Sequence, residues 1–280
     1  MSIVTVRNVT RRFGSFTAVD GVDLDIAQGE VVGILGANGA GKTTLMRMIL
    51  GLLRPTAGSI TLFGRSPGRE TRRRIGYVPQ DLGLWRDLTA DENLQFSAGV
   101  FGVRPSPAPE GSGGRLVGDL SLGVQRRVAF AAALQHQPDL LILDEPTSGV
   151  APLARARLWE EIRSRADTGT TVAVTTHYMD EARQADRLVL MAGGRVIGTG
   201  SEADIVGSLQ AVVVATDHWD AAFTALDHAG LAATLAGTNL RVPGAETAAV
   251  EAVLHRAGIT AAVTASSATL DEAMVVAGTP

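Results

Sequence analysis

Hydrophobic positions along the chain form short, β-branched runs that are separated by turn signals. The most apolar runs are residues 31–35 (VVGIL), 140–143 (LLIL) and 171–175 (TVAVT). Continuous apolar runs of this length are typical of strands that a parallel sheet buries on both faces. The helical patterns that follow these runs lie at residues 42–53, 152–165 and 179–185. The pattern therefore predicts βα units and an α/β fold with a mainly parallel core sheet.

Other segments predict elements outside that core. Residues 3–9, 22–26 and 59–63 alternate between polar and apolar positions and lie between tight turns, which favours an antiparallel β subdomain layered beside the parallel sheet. Thr89 and Glu92 have capping-box spacing, which predicts a helix that starts there and ends near Gly102.

Two further segments bear on domain organisation. Residues 104–114 (RPSPAPEGSGG) are rich in Pro, Gly and Ser, so we expect a flexible connector without regular structure. After about residue 208 the density of motifs falls, while apolar segments continue as a plausible β-α-β-α-β series. We therefore expect a main domain at residues 1–208 and a small α/β accessory domain at residues 209–280.

Composition narrows the class of protein. The 280 residues, 45% hydrophobic and without cysteine, exclude a disordered chain and a disulfide scaffold and allow about two domains. The formal charge of −4 gives no reason to expect a nucleic-acid partner. No apolar run approaches the roughly 18 to 20 residues that span a bilayer, and the first residues lack a secretory h-region. We expect a cytoplasmic protein whose role at a membrane would require another chain.

The basic residues single out one position. Lys42 is the only lysine among the 25 Lys and Arg residues, and it lies in residues 36–43 (GANGAGKT), which fit the phosphate-binding pattern GxxxxGK[ST] between a strand and a helix. Backbone N–H groups of such a loop curl around phosphates, the lysine neutralises β- and γ-phosphate oxygens, and the hydroxyl of Thr43 is suited to bind Mg²⁺. The predicted nucleotide-binding residues are Gly36, Asn38, Gly39, Gly41, Lys42, Thr43 and Thr44.

Two carboxylates follow the aliphatic run at residues 140–143. Because ligands bind at the carboxyl edge of parallel sheets, Asp144 is placed to hold Mg²⁺ and Glu145 to polarise an attacking water. The alternative is a solvated turn, since residues 144–149 (DEPTSG) are all good turn formers. The phosphate-binding loop elsewhere in the chain favours the functional interpretation.

Gln80 and His177 also follow apolar segments, at residues 75–79 and 172–176. If these strands share one sheet, Gln80 is placed to contact Mg²⁺ or water and His177 to hydrogen-bond the γ-phosphate. A glutamine or histidine in a turn is ordinarily structural, and the other four histidines lack such a position. The order of the motifs along the chain decides whether Gln80 and His177 are structural or functional.

Taken together, these motifs resemble the nucleotide-binding subunit of an ATP-binding cassette (ABC) transporter over about residues 2–205. The phosphate-binding loop resembles Walker A and residues 140–144 resemble Walker B. The resemblance implies that Glu145 is the catalytic glutamate, Gln80 the Q-loop residue and His177 the switch histidine, and that Phe13 stacks on adenine. It implies ATP and Mg²⁺ as ligands and ATP hydrolysis coupled to transport.

Residues 120–125 (LSLGVQ) resemble the family's signature, usually LSGGQ. The resemblance implies that Ser121 and Gly123 complete the ATP site of a second cassette, either an identical chain or a paralogue. Similar LxLG variants occur in bacterial ABC-2 type exporters, whose other motifs this chain also resembles. Leu122 replaces a glycine, and we expect it to be tolerated only with a negative φ.

Two departures from the family pattern bear on coupling. Ala151 stands where the D-loop usually carries aspartate, and the interval between Gln80 and Ser121 predicts a shortened helical subdomain.

Near Gln80, the residues Leu82, Leu84 and Trp85 fit either the core or a groove that receives a helix of the membrane subunit. The arginine-rich residues 69–74 are expected to be a solvated helix face.

The preferred hypothesis is an ATPase subunit of an ABC-2 type exporter, on the inner face of a bacterial cell membrane. Two cassettes would clamp two Mg-ATP molecules head to tail, and a separate integral-membrane permease would move the substrate. One alternative is a degenerate regulatory cassette that binds ATP with little hydrolysis. Another is a cassette ATPase acting on ribosomes or DNA, which is disfavoured because the chain has neither paired cassettes nor a coiled-coil insertion.

Overall fold

The computed structural model describes residues 1–278, and the chain divides into two compact units. The first is Met1–Ile197 and the second begins at Gly198. The elements of the first unit, the last of which continues into the second, are β1 (Ser2–Phe13), β2 (Phe16–Ala27), β3 (Val31–Leu35), α1 (Lys42–Ile49), β4 (Ala57–Leu62), α2 (Arg69–Arg72), β5 (Ile75–Val78), α3 (Ala90–Phe101), α4 (Leu122–Leu134), β6 (Leu140–Asp144), α5 (Pro152–Asp167), β7 (Thr171–Thr176), α6 (Met179–Ala182), β8 (Arg187–Ala192) and β9 (Arg195–Gly200).

The central sheet has the strand order β5-β6-β7-β3-β8-β9. The pairs from β5 to β8 are parallel, which confirms the mainly parallel core. The register aligns the carboxyl ends of four strands, because Val78 pairs with Leu143, Asp144 with Thr175, and Leu35 with Thr176. The loops after β5, β6, β7 and β3 therefore leave the sheet at one edge.

The aliphatic residues of β6 divide between two cores because successive side chains of a strand point to opposite faces. Leu140 and Ile142 pack with residues of β1, β2 and α1, whereas Leu141 and Leu143 pack with α4 and α5. All five residues of β6 are buried, as expected for a strand covered on both sides. This double burial explains the continuous apolar run at residues 140–143.

The antiparallel sheet has the order β2-β1-β4, which confirms the predicted antiparallel subdomain. Its strands begin earlier or run longer than the predicted segments because the hairpin between β1 and β2 extends pairing to Phe13 and Phe16. Exposed side chains in the arginine-rich α2 region agree with the predicted solvated face.

The helical part of the first unit consists of α3, α4 and a short 3₁₀ turn at Val117–Asp119. Helix α3 begins and ends as predicted, with a reciprocal capping box between Thr89 and Glu92 and with Gly102 in the left-handed conformation. Residues 104–114 contain no helix or strand, as predicted. The segment is nevertheless tied to both helices, because Gly113 accepts a hydrogen bond from the Asp91 N–H and Ser106 donates one to Gln135.

The second unit is a separate α/β structure. Its elements after β9 are α7 (Glu202–Val206), β10 (Gln210–Ala215), α8 (Trp219–His228), β11 (Thr234–Ala236), β12 (Asn239–Pro243), α9 (Thr247–Arg256), β13 (Ala262–Ser267) and α10 (Leu270–Gly278). The antiparallel sheet has the order β11-β12-β10-β13. The predicted series omitted β11, because three residues are too short to show an alternating pattern.

The division between the units lies within β9. The sequence prediction put the boundary at residue 208, where the motif density falls, so that β9 and α7 belonged to the main domain. By contacts, α7 belongs instead to the second unit. Among residues 1–278, no helix combines the length and the apolar character needed to cross a bilayer.

The core of the second unit generates a stability prediction. Leu226 of α8 is fully buried with Leu240 and Val250, whereas Leu235 is half-exposed. Leu226→Ala should lower the free energy of unfolding of this unit by about 2 to 5 kcal/mol, because it leaves a cavity. Leu235→Ala should change it by less than about 0.5 kcal/mol. Urea unfolding followed by circular dichroism measures both, and equal losses would contradict the described packing.

Candidate functional site

The phosphate-binding pattern forms a tight loop between β3 and α1. Gly36 and Gly41 have φ angles of 158° and 98°, in a region that side chains disfavour. A Cβ at Gly36 would collide with the Met191 carbonyl oxygen, and one at Gly41 with the Ala18 carbonyl oxygen. Both glycines are therefore required by close backbone approach as well as by conformation. Asn38 and Gly39 lie exposed at the tip of the loop, where a ligand would reach them.

Lys42 begins α1, and its side chain folds back under the loop. The ammonium donates hydrogen bonds to the carbonyl oxygens of Gly36 at 2.7 Å and Ala37 at 3.2 Å. It also lies 3.6 Å from Oε1 of Glu145, and both side chains are almost fully buried. Because solvent screens buried charges poorly, this ion pair creates a strong local electric field. A phosphate group entering the loop would meet a lysine that is already oriented.

Asp144 ends β6 and faces two hydroxyl groups. Its Oδ1 accepts hydrogen bonds from Thr43 at 3.2 Å and from Thr175 at 2.7 Å. Its Oδ2 is buried without a hydrogen-bond partner among the described residues. An unpartnered buried carboxylate oxygen beside a threonine hydroxyl fits Mg²⁺, which prefers oxygen ligands. Thr43 and Asp144 would hold the ion, and Thr44 lies half-buried on the next position of α1.

Glu145 is held in an unusual backbone conformation. Its φ of 49° lies in the left-handed region, which is strained for a non-glycine residue. Its N–H donates to the Thr175 hydroxyl at 2.9 Å. The buried Arg126 of α4 donates to the Glu145 carbonyl oxygen at 3.2 Å and also to the carbonyl oxygens of Pro146 and Ser148. These contacts stabilise the strained turn and aim the carboxylate toward Lys42.

Burial changes the titration of two side chains around this turn. It lowers the pKa of the Arg126 guanidinium, an effect that the negative charges of Glu181 and Glu145 oppose. Burial also raises the pKa of the Tyr77 hydroxyl to about 12, and the charge of Asp144 adds to the increase. Tyr77 therefore stays neutral at physiological pH beside the acidic edge of the sheet.

His177 follows β7 and completes the cluster. Its Nδ1 lies 3.4 Å from Oε2 of Glu145, and its ring centroid lies 4.1 Å from that of Tyr178. Lys42, Glu145 and His177 thus form a continuous line of side chains, with Asp144 joined through Thr43. Gln80 follows β5 at the same sheet edge, but its side chain is exposed and makes no hydrogen bond within residues 1–278.

The remaining predicted residues lie apart from this cluster. Phe13 ends β1 with its ring 47% exposed and the Arg11 guanidinium 4.5 Å from the ring centroid. Ser121 is the N-cap residue of α4, as predicted, although its hydroxyl makes no capping hydrogen bond. Within the described part of the chain, no hydrogen bond or ion pair joins Ser121 or Gly123 to the cluster around Lys42.

Two departures from the family pattern can now be described. Leu122 is the first residue of α4, and its φ is not positive. The backbone therefore accepts leucine without the strain of a left-handed conformation. Ala151 is the N-cap residue of α5 and has no side-chain capping hydrogen bond, because alanine has no acceptor. Pro152 occupies the first helical position, where its fixed φ favours the helix.

Sequence reasoning missed the residues that orient the cluster, namely Thr175 and Arg126. Thr175 lies inside an apolar run and resembles any β-branched core residue. Arg126 is one of many arginines, and only its burial against three carbonyl oxygens distinguishes it. The sequence carried no signal for either residue, because their partners lie in distant segments.

Known proteins resemble this chain in sequence. The profile described as ABC transporter matches residues 19–148. The Nod factor export ATP-binding protein I of Burkholderia orbicola is 42% identical over 226 residues, which cover 74% of this chain and 74% of that protein. The probable multidrug ABC transporter ATP-binding protein YbhF of Escherichia coli K12 is 39% identical over 219 residues, and the match spans 38% of YbhF.

Solved structures give the same result. A structure described as the ATP binding subunit of an ABC transporter has a TM-score of 0.67 at 29% identity, covering 73% of this chain and 92% of that one. A dimeric ATP-binding cassette in a post-hydrolysis state, bound to ADP and Pi, has a TM-score of 0.64 at 28% identity, covering 71% and 98%.

The fold is that of a P-loop NTPase of the ATP-binding cassette type. The chain belongs to the ABC transporter family. Its membership confirms the class of protein that the motifs predicted, an ABC-type ATPase cassette with the parallel core and antiparallel subdomain described above.

Removing the lysine tests the site directly. Lys42→Ala should weaken ATP binding roughly 10- to 150-fold, because hydrogen bonds to a charged group contribute about 1.5 to 3 kcal/mol. Fluorescence titration with a labelled ATP analogue measures the change. The exposed Arg69→Ala variant on α2 provides the control and should bind like the unaltered protein. If the Lys42→Ala variant bound ATP as tightly as the unaltered protein, the loop would not be part of the ATP-binding site.

Proposed function

We propose that this protein is the ATP-binding and ATP-hydrolysing subunit of an ABC-2 type exporter. The observation that carries the proposal is the line of Lys42, Glu145 and His177 at one sheet edge, beside an Asp144 oxygen that has no hydrogen-bond partner within residues 1–278. The names of the relatives, which include multidrug and Nod factor export proteins, support export as the direction of transport. The transported substrate would be selected by a separate membrane subunit at the inner face of the cell membrane.

The proposed hydrolysis assigns one task to each side chain. The loop and Lys42 bind the phosphates, while Thr43 and Asp144, together with Gln80 at the end of β5, would hold Mg²⁺. When bound, Mg²⁺ neutralises phosphate charge. Glu145 accepts a hydrogen bond from the attacking water, and His177 donates one toward the γ-phosphate. Phe13 lies exposed on the hairpin whose second strand contacts the loop, where it would stack on adenine.

The site requires a second cassette in this proposal. Ser121 and Gly123 lie at the N-terminus of α4, apart from the phosphate loop of their own chain. Helix N-termini favour anions, so this terminus is suited to the γ-phosphate bound by another subunit. A dimeric cassette among the structural neighbours supports a pair of cassettes, and the proposed arrangement of this pair is head to tail. ATP would close the pair because its γ-phosphate contacts both subunits only in the closed state.

Replacing the glutamate separates an ATPase from a regulatory cassette. Glu145→Gln should lower kcat at least about 100-fold and leave ATP bound, since it removes the base without removing Lys42. Steady-state phosphate release measures turnover, and gel filtration with ATP should detect a trapped dimer.

Glu160→Gln, an exposed change on α5, provides the control and should leave turnover unchanged. Equal, slow turnover in the unaltered protein and in Glu145→Gln would instead favour the regulatory cassette.

An exposed aromatic patch supports docking of the permease. Trp85 and Phe96 are 59% and 57% exposed, and their ring centroids lie 6.1 Å apart in an edge-to-face pair. Leu82, by contrast, is buried in the core. The patch follows Gln80 along the chain, so a membrane helix seated on it would contact the loop proposed to sense Mg²⁺.

Truncating the tryptophan tests this surface. Trp85→Ala should reduce recovery of a polytopic membrane protein from detergent-solubilised membranes about 30-fold, since a central aromatic anchor contributes about 2 kcal/mol. ATP binding should not change. Trp219→Ala, which removes another exposed tryptophan, is the matched control. Recovery of ribosomal proteins in place of a membrane protein would contradict the proposal.

A further inference from the structure

One buried carboxylate has no role in the proposed hydrolysis. Glu181 lies on α6, and only 1% of its surface is exposed to solvent. Burying a carboxylate without partners is costly, so its partners must satisfy both oxygens. They come from separate segments of the chain.

Glu181 accepts hydrogen bonds from two threonines on different loops. The Thr147 hydroxyl donates to Oε1, and the Thr176 hydroxyl donates to Oε2 at 2.7 Å. Both threonines are buried. Arg155 of α5 supplies the opposite charge, with its Nε 3.3 Å from Oε1. Each carboxylate oxygen therefore has its own hydroxyl donor.

The two threonines flank the residues proposed to act on water and phosphate. Thr147 lies two positions after Glu145, and Thr176 immediately precedes His177. The Thr176 oxygen also accepts a hydrogen bond from the Tyr178 N–H at 3.0 Å, so it holds the chain on both sides of His177. The Arg155 guanidinium lies 4.2 Å from the Tyr178 ring centroid, which ties α5 to the same turn.

We propose that Glu181 is a positioning residue that sets the separation of Glu145 and His177. The proposal rests on the proposed function, since it assigns Glu181 to the same reaction. A single carboxylate bridges the two loops because it accepts from two hydroxyl groups at once. A glutamine has one acceptor oxygen and an NH₂ group that only donates, so either Thr147 or Thr176 would have to turn its hydroxyl from donating to accepting, which would let that loop shift.

The conservative variant distinguishes positioning from binding. Glu181→Gln should lower kcat about 10- to 100-fold, because displacements near 1 Å have effects of this size. The KM for ATP and the affinity for a non-hydrolysable analogue should stay within about twofold, since neither the loop nor Lys42 contacts Glu181. A parallel loss of analogue affinity, or a kcat within about twofold of the unaltered protein, would overturn the proposal.

A double-mutant cycle tests whether Glu181 acts through His177. In the His177→Ala background, Glu181→Gln should lower kcat by clearly less than it does in the unaltered protein, because one of the two residues whose separation it sets is already missing. The full loss in that background would overturn the proposal. Glu272→Gln is the matched control, since Glu272 is also buried and lies 2.5 Å from Arg241 in the second unit. It should leave kcat unchanged.

A second variant covers the case in which Glu181→Gln does not fold. Thr147→Val removes one hydroxyl and keeps the pairing of Glu181 with Arg155, and it should cause a smaller kcat loss at unchanged KM. Unchanged kcat in this variant would overturn the proposal.

A spectroscopic readout needs no hydrolysis. The ¹⁵N imidazole signals of His177, assigned with His177→Ala, should shift in nucleotide-free Glu181→Gln or Thr147→Val. Unshifted signals would overturn the role of Glu181. An unaltered protein that does not hydrolyse ATP would overturn the proposed function instead, so the two failures are distinguishable.

Discussion

The close approach of Lys42 and Glu145 is the interaction on which the site depends. Their charged atoms lie 3.6 Å apart at the carboxyl edge of the parallel sheet, after strands β3 and β6, where both side chains are buried. Charges at such an edge interact strongly because little water screens them. The surrounding structure must therefore hold both residues rigidly, and the aligned ends of β3, β6 and β7 do so.

The rigidity comes from polar contacts to the loops as much as from the apolar cores. Arg126 binds three carbonyl oxygens of the turn that contains Glu145, and Thr175 binds both the Glu145 N–H and Asp144. A left-handed glutamate is strained, so it persists only where surrounding contacts determine it. The negative charge of Glu181 opposes the effect of burial on the pKa of the Arg126 guanidinium, and both residues contact the turn that follows β6.

Local pattern was sufficient for the elements with strong short-range signals. The apolar run at residues 140–143 predicted a doubly buried strand, and Thr89 with Glu92 predicted the start of α3 to the residue. The short strand β11 was missed because three residues carry no periodicity. The two compact units divide within β9 rather than near residue 208, because motif density reports chemistry, whereas contacts determine which elements pack together.

The sequence by itself determined the identity of the phosphate loop, the acidic strand end and the family, because these depend on residue types at fixed local spacing. Tertiary structure alone decided how the site is oriented: that Arg126 binds the turn after β6, that Glu181 joins the loops of Glu145 and His177, and that one Asp144 oxygen has no hydrogen-bond partner in the described part of the chain. Arginine, threonine and glutamate are common residues, and their roles here arise from partners that only folding brings within hydrogen-bonding distance.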